Sequence, residues 1–387
     1  MSLLFFLSLF ILILHIMTLA DIGQGLLRMT RLKQIVPGLS TNTPRVSVIV
    51  PACNEAETIE EPLLALLDQD YPNLEIIVVN DRSTDATSTI LQAIKQKSTT
   101  PFTILDIQDL PPGWLGKSHA LQRGADVATG DYLLFTDADI EMERSVISRA
   151  VTAMESDGLD HLSLIFQTIG GNWLLNGMVL DAASGLLGMF KPWNARKKTN
   201  RYFMGVGAFN MVRKDVYRSI DGHNTIRMHP IDDLMLGKII KENGSKQDCY
   251  LGQPLVKVCW YSSVPAMVDG LMKNVFSVLH YRAWLAVLSI LVLVMLTIVP
   301  IFGAMFASGM TQLFFIMIVL LRICGLGLGA ILSGMPVGAV VGGLIAPVIS
   351  IYIIGRATFL TTKNQGIYWR GTHYPLSELR KGRPLLF

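Results

Sequence analysis

Long apolar runs at both ends of the chain constrain its fold more than any other feature. Residues 3–20 are predominantly apolar up to Asp21, and residues 284–306, 311–332 and 335–355 contain only one charged side chain, that of Arg322. About 20 such residues span the hydrocarbon core of a bilayer. We therefore predict an N-terminal membrane anchor and two or three C-terminal membrane helices around a more polar middle region.

The first apolar run has two interpretations, a retained anchor and a cleaved signal peptide. The run has no basic residues before it and no small-residue cleavage site after it, which favours the anchor. Between Gly23 and Asn54 there are four cations and no acids, and an excess of cations marks the cytoplasmic side of a membrane. We therefore expect a multi-pass protein of the cell (inner) membrane with its middle region in the cytoplasm.

The charge of the C-terminal tail raises a question about the number of crossings. Residues 363–387 carry five cations and a single acid, Glu378, which also favours the cytoplasm. Three crossings after residue 283 would instead place this tail on the opposite side from the middle region. Either one segment is re-entrant or the tail is an exception.

Overall composition excludes some classes of protein. Hydrophobic residues make up 51% and charged residues 16%, which is too apolar for an ordinary soluble protein. The net charge of +3 gives no support to a nucleic-acid partner. The four cysteines form no CxxC pair, so neither a disulfide framework nor a zinc site is expected.

The middle region alternates between buried strands and helices. The helices predicted between the strands cover residues 55–69, 83–97 and 118–128. The predicted strands cover residues 47–53, 74–81, 102–107 and 131–140. Short β-branched runs separated by helices of this length indicate a mostly parallel sheet with helices on both faces. Such an α/β sheet binds its ligands beyond the carboxyl ends of its strands.

Charged side chains follow each of the four predicted strands. They are Glu55, Asp81, Lys117 and the pair Asp137 and Asp139. Because the strands are expected to be parallel, these groups should converge on one rim. Asp137 and Asp139 are two residues apart, so both carboxylates project to the same side of an extended segment. Such oxygen ligands suit Mg²⁺ or Mn²⁺ when a substrate diphosphate completes the shell, although a solvated turn that caps the next helix is the alternative.

Three sequence blocks together resemble family 2 glycosyltransferases of the GT-A fold. They are SVIVPACNEAETIEEPLLALLDQDYPNLEIIVVNDRSTDAT, LPPGWLGKSHALQRGADVATGDYLLFTDADI and HPIDDLMLGKIIKENG. The resemblance covers residues 46–285, and the blocks occur in the order of the family. The block before TDADI is most similar to membrane-bound members that act on lipids: ceramide glucosyltransferase-like, hopanoid-associated and carotenoid glycosyltransferases.

The resemblance implies a role for each matching residue. Pro51, Glu55 and Asp81 would hold the nucleotide, Lys117 would approach the diphosphate, Asp137 would lie at the ribose side of the donor, and Asp139, with Asp137, would ligate the metal. The pair Asp232 and Asp233 matches the acidic motif before a helix, and Asp233 would be the catalytic base. On the residues alone, Asp81 could merely cap a helix and Lys117 could be a surface lysine. The acidic pair could equally be helix N-terminal charges favoured by the macrodipole.

Three further segments are candidates for the donor or acceptor pocket. Gly207 lies in the segment 201–223, where the glycines would let the backbone approach the substrate. The QxxRW motif of many relatives is not intact at 270–284, where Lys273 and Asn274, or Arg282 and Trp284, are the possible substitutes. Trp369 and Arg370 resemble the Trp-Arg-Gly tails of carotenoid-type relatives, with an interfacial anchor as the equal alternative.

The resemblance implies inverting, metal-dependent transfer of a sugar from a nucleotide-sugar to a lipid or isoprenoid-type acceptor at the cytoplasmic membrane face. A UDP-sugar is the expected donor, with Mg²⁺ or Mn²⁺ as cofactor. The alternatives are a polysaccharide synthase that extends a glycan chain and, as a non-enzyme, a membrane scaffold or inactive nucleotide-sugar-binding protein. The expected boundaries are an anchor at 1–22, a basic linker at 23–45, a GT-A domain at 46–262, an interfacial segment at 263–283, membrane helices at 284–360 and a basic tail at 361–387.

Overall fold

The computed structural model describes residues 3–38 and 43–385. The strands are β1 (Val46–Ala52), β2 (Leu74–Asp81), β3 (Phe102–Ile107), β4 (Tyr132–Phe135), β5 (Ile140–Met142), β6 (His161–Ile165), β7 (Gln167–Thr168), β8 (Asn210–Arg213), β9 (Gln247–Leu251), β10 (Val256–Val258), β11 (Gly366–Trp369) and β12 (Thr372–Pro375). The helices are α1 (Leu3–Arg28), α2 (Glu60–Leu67), α3 (Thr87–Lys97), α4 (Gly116–Val127), α5 (Val146–Asp157), α6 (Trp173–Phe190), α7 (Lys214–Ser219), α8 (Asp232–Glu242), α9 (Val264–Val278), α10 (Ala283–Leu293), α11 (Val299–Phe306), α12 (Gly309–Ser333), α13 (Gly338–Lys363) and α14 (Leu376–Leu379).

The middle region folds around a seven-stranded sheet in the order β3-β2-β1-β4-β8-β6-β9. Strand β8 runs antiparallel to both of its neighbours, while the other pairs are parallel. Every residue of β2 is buried, as expected for a strand covered on both faces. The prediction of a mostly parallel sheet with helices is therefore confirmed, with β8 as the exception that the sequence pattern did not reveal.

The predicted fourth strand divides into two elements. Pairing of β1 with β4 ends at Ile49 and Phe135, and the chain then leaves the main sheet. Residues 140–142 pair instead with β10 in a separate three-stranded sheet of order β5-β10-β7. The TDAD segment is the crossing between the two sheets. Pro51 is tolerated in the central strand because it lies beyond the last β4 partner and its missing N–H costs no bond there.

The loops after β1 and β2 are tied together by side chains of the NDRSTD segment. Asn54 adopts a left-handed conformation with φ 56°, and its Oδ1 accepts a 2.7 Å hydrogen bond from the backbone N–H of Thr84. Asp85 accepts from the backbone N–H of Thr87 at 3.0 Å and from that of Ala56 at 3.1 Å. These bonds fix the backbone at the rim where Glu55 and Asp81 emerge.

Five helices of the described residues are long and apolar enough to cross a membrane. They cover 3–28, 173–194, 283–306, 309–333 and 338–363. The first continues past residue 22, so it occupies part of the expected basic linker. The helix at 173–194 lies inside the region expected to be entirely catalytic domain, and its lower hydropathy kept it from resembling a membrane segment.

Helix α6 packs along α13 through glycines. The Cβ of any side chain at Gly177 would lie 2.3 Å from backbone atoms of both Gly342 and Gly343, so the two helices approach as closely as backbones allow. Arg322 of α12 joins this contact, with its guanidinium 2.8 Å from Oδ1 of Asp181 and 3.1 Å from the carbonyl of Gly343. Helices α6, α12 and α13 therefore pack against one another through small residues and one ion pair.

Both ends of α13 lie next to the α/β domain. At its start, a Cβ on Gly334, four residues before α13, would lie 3.2 Å from Nε2 of Gln167 in β7. At its end, α13 leads into the β11–β12 hairpin, which reaches the rim of the main sheet. Along its length, Arg356 pairs with Asp269 of α9 at 2.6 Å.

Candidate active site

Gly207 brings the two predicted acidic motifs together. Its backbone N–H donates a 2.8 Å hydrogen bond to Oδ2 of Asp233, and its carbonyl accepts a 3.1 Å bond from the backbone N–H of Asp137. A Cβ at this position would lie 2.7 Å from Oδ2 of Asp137 and 3.4 Å from Oδ2 of Asp233. Only glycine therefore lets the carboxylates of Asp137 and Asp233 approach the same point.

Lys117, the second residue of α4, joins these motifs by charge. Its Nζ lies 2.7 Å from Oδ1 of Asp137 and 3.3 Å from Oδ1 of Asp232. Burial acts to lower the pKa of Lys117, but the carboxylates of Asp137, Asp232 and Asp233 raise it above its ordinary value. Lys117 is therefore a fixed cation that offsets part of the negative charge of the acidic motifs.

A small cavity opens where these groups meet. Its lining combines acidic, basic and apolar side chains with Gly207. The lining residues are Lys117, Leu121, Phe135, Thr136, Asp137, Gly207, Asn210, His223, Asp232, Asp233 and Leu236. Asp137, Asp232 and Asp233, predicted from two distant parts of the sequence, thus share one cavity.

Asp233 occupies the position from which a base could act. It is the second residue of α8, and its Oδ1 accepts a 2.8 Å hydrogen bond from the backbone N–H of Leu234. Burial raises the pKa of Asp233, and the neighbouring charge of Asp232 raises it further, because both disfavour the ionised form. A carboxylate with a raised pKa accepts a proton more readily than an exposed aspartate does.

A buried polar network holds the backbone of Asp233, and the sequence analysis did not identify it. Nδ2 of Asn210 donates to the carbonyl of Asp233 at 3.4 Å, and Oδ1 of Asn210 bonds Nε2 of His161. Gln247 donates from Nε2 to Nδ1 of His161 at 2.9 Å and to the carbonyl of Gly237 at 2.9 Å. Since an amide nitrogen can only donate, His161 accepts at Nδ1 and donates from Nε2. Burial lowers the pKa of His161 to about 4, so the ring is neutral at pH 7.

Asp139 has the features of a cation ligand. It forms no ion pair among the described residues, and burial raises its pKa to about 6, with the charge of Asp137 acting in the same direction. No group of three or more His, Cys, Asp or Glu side chains in the described chain is arranged to hold a metal alone. Mg²⁺ at nucleotide sites commonly takes one or two carboxylates and completes its shell with substrate phosphates. The donor set of Asp139 and Asp137 fits that pattern.

Asp81 lies at the carboxyl end of β2, but its carboxylate already has a partner. Arg82 donates from Nε and from one terminal nitrogen to the two oxygens of Asp81, at 2.8 Å and 2.9 Å. Arg82 also donates to the Thr372 hydroxyl at 3.3 Å. Neither Asp81 nor Asp139 lines the cavity of Asp233, so the predicted rim extends across several strand ends. Arg82, adjacent to Asp81, is a site residue that the sequence analysis did not single out.

The β11–β12 hairpin covers this rim, although its Arg370 lies 315 residues beyond Glu55 along the chain. Arg370 donates to the carbonyl of Cys53 at 2.6 Å and to Oε1 of Glu55 at 2.5 Å. Arg370 and Gly371 both have positive φ values, 48° and 76°, which produce a tight two-residue turn with the arginine at its tip. The hydroxyl of Tyr374 accepts a 3.2 Å bond from the backbone N–H of Gly116.

Lys273 of α9 contacts Trp369 at the end of β11 in the hairpin. Nζ of Lys273 lies 3.6 Å from the centroid of the Trp369 ring. Oδ1 of Asn274 is buried and has no hydrogen-bond partner among the described residues. Arg282 and Trp284 instead line a different cavity of about 400 Å³, with His280, Tyr281 and Arg380. Of the two candidate pairs in the region of the missing motif, the structure therefore brings Lys273 to the rim.

Comparison with known proteins agrees with this geometry. Residues 47–221 match the family described as "Glycosyl transferase family 2". Two proteins named 4,4'-diaponeurosporenoate glycosyltransferase, from Staphylococcus aureus strains bovine RF122 / ET3-1 and USA300, are each 26% identical over 238 residues. Each match covers 58% of this chain and 58% of the relative, so the chain spans less than two thirds of these relatives' length.

A solved structure shows the same fold over most of the chain. It is the mannosyltransferase PcManGT from Pyrobaculum calidifontis, in complex with GDP-Man and Mn²⁺. The superposition has a TM-score of 0.58 at 18% identity and covers 90% of this chain and 99% of the other. The predicted GT-A fold with additional apolar helices is therefore confirmed. Residues 47–221 form a family 2 glycosyltransferase domain.

Proposed function

From the premise of a family 2 glycosyltransferase domain, we propose that this chain transfers a sugar from a nucleotide-sugar to a lipid or isoprenoid-type acceptor at the membrane surface. The observation that carries the proposal is the contact of Asp137 and Asp233 through Gly207, with Lys117 between the acidic motifs. A site for group transfer needs a base and a place for the leaving group within reach of one sugar carbon. Both lie at this cavity.

In the proposed reaction, Asp233 removes the proton from the acceptor hydroxyl as its oxygen attacks the anomeric carbon. The bond from that carbon to the donor diphosphate breaks on the opposite face, so the configuration inverts in one step. Asp137 and Asp139 would hold Mg²⁺ or Mn²⁺ together with the donor phosphates. Such an ion neutralises the charge that develops on the leaving group.

The donor would lie along the carboxyl ends of β1, β2 and β4. Pro51 lies near the end of β1, Glu55 follows that strand, and Asp81 ends β2, so these residues would surround the nucleoside. We propose a UDP-sugar as donor on the resemblance stated above. PcManGT, which shares the fold, is described in complex with GDP-Man, so both nucleotides enter the test.

An isoprenoid-type acceptor is supported by the relatives and by the apolar helices. The staphylococcal relatives are named for 4,4'-diaponeurosporenoate, a carotenoid. In this chain, α6, α9 and α13 pack together in one apolar cluster that includes Trp260, just after β10 of the three-stranded sheet. Large apolar side chains of α13 are exposed, such as Val348 at 58% and Phe359 at 65%. An acceptor that stays in the bilayer could therefore reach the site along these helices.

The arrangement of the helices offers an explanation for the excess of cations in the tail, which favours the cytoplasmic side. Helix α10 begins and α12 ends beside the α/β domain, the latter with Gln167 donating to the carbonyl of Ser333 at 3.4 Å. Both ends of α13 also lie beside that domain. We propose that α1, the continuous α10–α11 segment and α12 cross the inner membrane, while α6 and α13 lie in its interface. The α/β domain and the tail are then both cytoplasmic.

The test uses the full chain in lipid nanodiscs with radiolabelled UDP- and GDP-sugars and extracted membrane lipids. We expect labelled glycolipid of discrete mass in the presence of Mn²⁺ or Mg²⁺, and none after addition of EDTA. Membranes without the protein provide the control. Label that accumulates in a long polymer would point to a polysaccharide synthase instead. Absence of both transfer and donor hydrolysis would overturn the enzymatic proposal.

A further inference from the structure

Lys273 lies close to the candidate active site but has no role in the reaction proposed above. Its ammonium lies over the Trp369 ring at 3.6 Å, is only partly exposed, and forms no ion pair with a carboxylate among the described residues. Burial lowers the pKa of Lys273 to about 8, and the nearby charge of Lys117 acts in the same direction. Since an unpaired cation is costly to bury, this arrangement indicates an anionic partner from outside the chain.

Lys117 by itself is poorly suited to neutralise such an anionic partner. Its Nζ is already 2.7 Å from Asp137 and 3.3 Å from Asp232, so its charge is shared by two carboxylates. Met272, the residue before Lys273, and Trp369 both pack against a buried cluster that contains Leu115, two residues before Lys117, which places Lys273 near the acidic cavity. An anion bound here would therefore meet a second cation, Lys273, whose charge is not shared with a carboxylate.

The hairpin fixes the position of Lys273. Trp369 precedes Arg370, whose two hydrogen bonds, to Cys53 and Glu55, attach the hairpin to the end of β1. Tyr374, on the paired strand, bonds the start of α4 at Gly116. A ring held in this way can orient an ammonium group through a cation–π contact while leaving its N–H groups free to bind an anion.

We propose that Lys273 binds the diphosphate of the nucleotide-sugar and stabilises it as the leaving group, and that Trp369 is a positioning residue for Lys273. The inference rests on the proposed function, because it assigns the cation for the same donor site. The charge that develops on the bridging oxygen as the sugar–oxygen bond breaks would be met by this ammonium.

The test measures binding of UDP, GDP, UMP and GMP to the full chain in nanodiscs at a fixed Mn²⁺ concentration. Lys273→Met keeps the length of the side chain and removes its charge. Wild type identifies which of UDP and GDP is bound. We expect the affinity of Lys273→Met for that nucleoside diphosphate to be about 10- to 100-fold lower, the usual range for losing a charged hydrogen bond. The affinity for the monophosphate should change less, and Lys273→Arg should retain most of the diphosphate affinity.

A second pair of variants tests the positioning role. Trp369→Leu should weaken diphosphate binding by a smaller factor than Lys273→Met does. Tyr368→Leu, on the same strand with its ring exposed, is the matched control and should bind as wild type does. Lys363→Met provides the control for removing a lysine near an aromatic ring, since Lys363 lies 5.9 Å from the Phe359 ring, outside the site.

The outcomes separate the two proposals. Wild type that binds neither UDP nor GDP and hydrolyses no nucleotide-sugar would contradict the proposed function. Wild-type diphosphate binding that is unchanged in Lys273→Met would overturn the role of Lys273 and leave the function standing. A change only in the KM for a polyprenyl-phosphate acceptor would also overturn it, because the lysine would then serve the acceptor. Should Lys273→Met not yield folded protein, Trp369→Leu that binds diphosphate as tightly as wild type would overturn the positioning role.

Discussion

Two walls of the candidate active site differ in origin, charge and attachment. The acidic wall comes from the α/β domain and carries Asp137, Asp232 and Asp233. Asp137 and Asp233 are held by hydrogen bonds to the backbone of Gly207, and Asp233 also by the backbone N–H of Leu234. The C-terminal wall comes from α9 and the β11–β12 hairpin and carries Lys273, Trp369 and Arg370. The first wall lies just after β4 and at the start of α8, whereas the second reaches the site through side-chain contacts of Arg370 and Tyr374. On the roles proposed above, we expect proton transfer to depend on the first wall, and binding and stabilisation of the donor diphosphate to depend on the second.

The largest effect is expected for Asp233, the proposed catalytic base on the acidic wall. Asp233→Asn keeps the shape and removes the proton acceptor, so we expect transfer to fall about 10²- to 10⁴-fold while nucleotide binding persists. Turnover of labelled donor and calorimetric nucleotide binding measure the two properties separately. Asp215→Asn, at an aspartate with 76% of its side chain exposed, is the matched control. Normal transfer by Asp233→Asn would remove that residue from its role.

A second prediction concerns Asp139, the proposed metal ligand two residues beyond Asp137 of the acidic wall. Asp139→Ala should abolish the metal dependence of donor binding, because Asp139 lacks an ion-pair partner of its own among the described residues. We expect the affinity gained on adding Mn²⁺ to wild type, about 10-fold or more for a charge-assisted contact, to disappear. Donor titrations with Mn²⁺ and with EDTA provide the measurement. The same gain on adding Mn²⁺ in the variant would exclude Asp139 as a ligand.

The network behind the acidic wall predicts sensitivity to acid. The folded pKa of His161 is about 4, whereas an unfolded histidine titrates near about 6.5. A lowered folded pKa contributes stability that is complete above the unfolded value and is lost as the pH falls from about 6.5 to 4. The loss should be about 1–3 kcal/mol, and His161→Gln should not show this component. Thermal unfolding of both proteins between pH 7 and pH 5 tests it, with exposed His373→Gln as the control; identical acid profiles for wild type and His161→Gln would contradict it.

The smallest effect is expected where the two walls touch. Arg370 and Glu55 pair at 2.5 Å, but their side chains are 46% and 20% exposed, so solvent screens the interaction. A double-mutant cycle with Glu55→Gln and Arg370→Met should give a coupling of about 0.2–1 kcal/mol in protein stability. The exposed pair Lys381–Glu378 gives the reference value for a pair away from the site. Coupling well above that range would mean that the hairpin is attached as firmly as the acidic wall.

Much of the acidic wall could be predicted from the sequence. Buried runs such as 74–81 mark a strand over its own length, and the residue that ends a parallel strand must lie at the ligand edge. Asp81, Asp137 and the loop at Glu55 follow from that rule, and the GT-A resemblance supplied Asp233. Asn210 and His161 gave no comparable signal, because a buried hydrogen-bond network leaves no periodic pattern in the chain.

The sequence by itself determined which segments are apolar, which residues end the parallel strands and where the acidic motifs lie, because these features depend on neighbours within a few residues. Only the tertiary structure decided that α13 returns to the domain from which it starts, that β8 runs antiparallel, and that Lys273 rather than Arg282 faces the rim. These outcomes depend on contacts between distant segments, such as Gly177 with Gly342 and Arg370 with Glu55. Packing selects such contacts from many that the local pattern would permit.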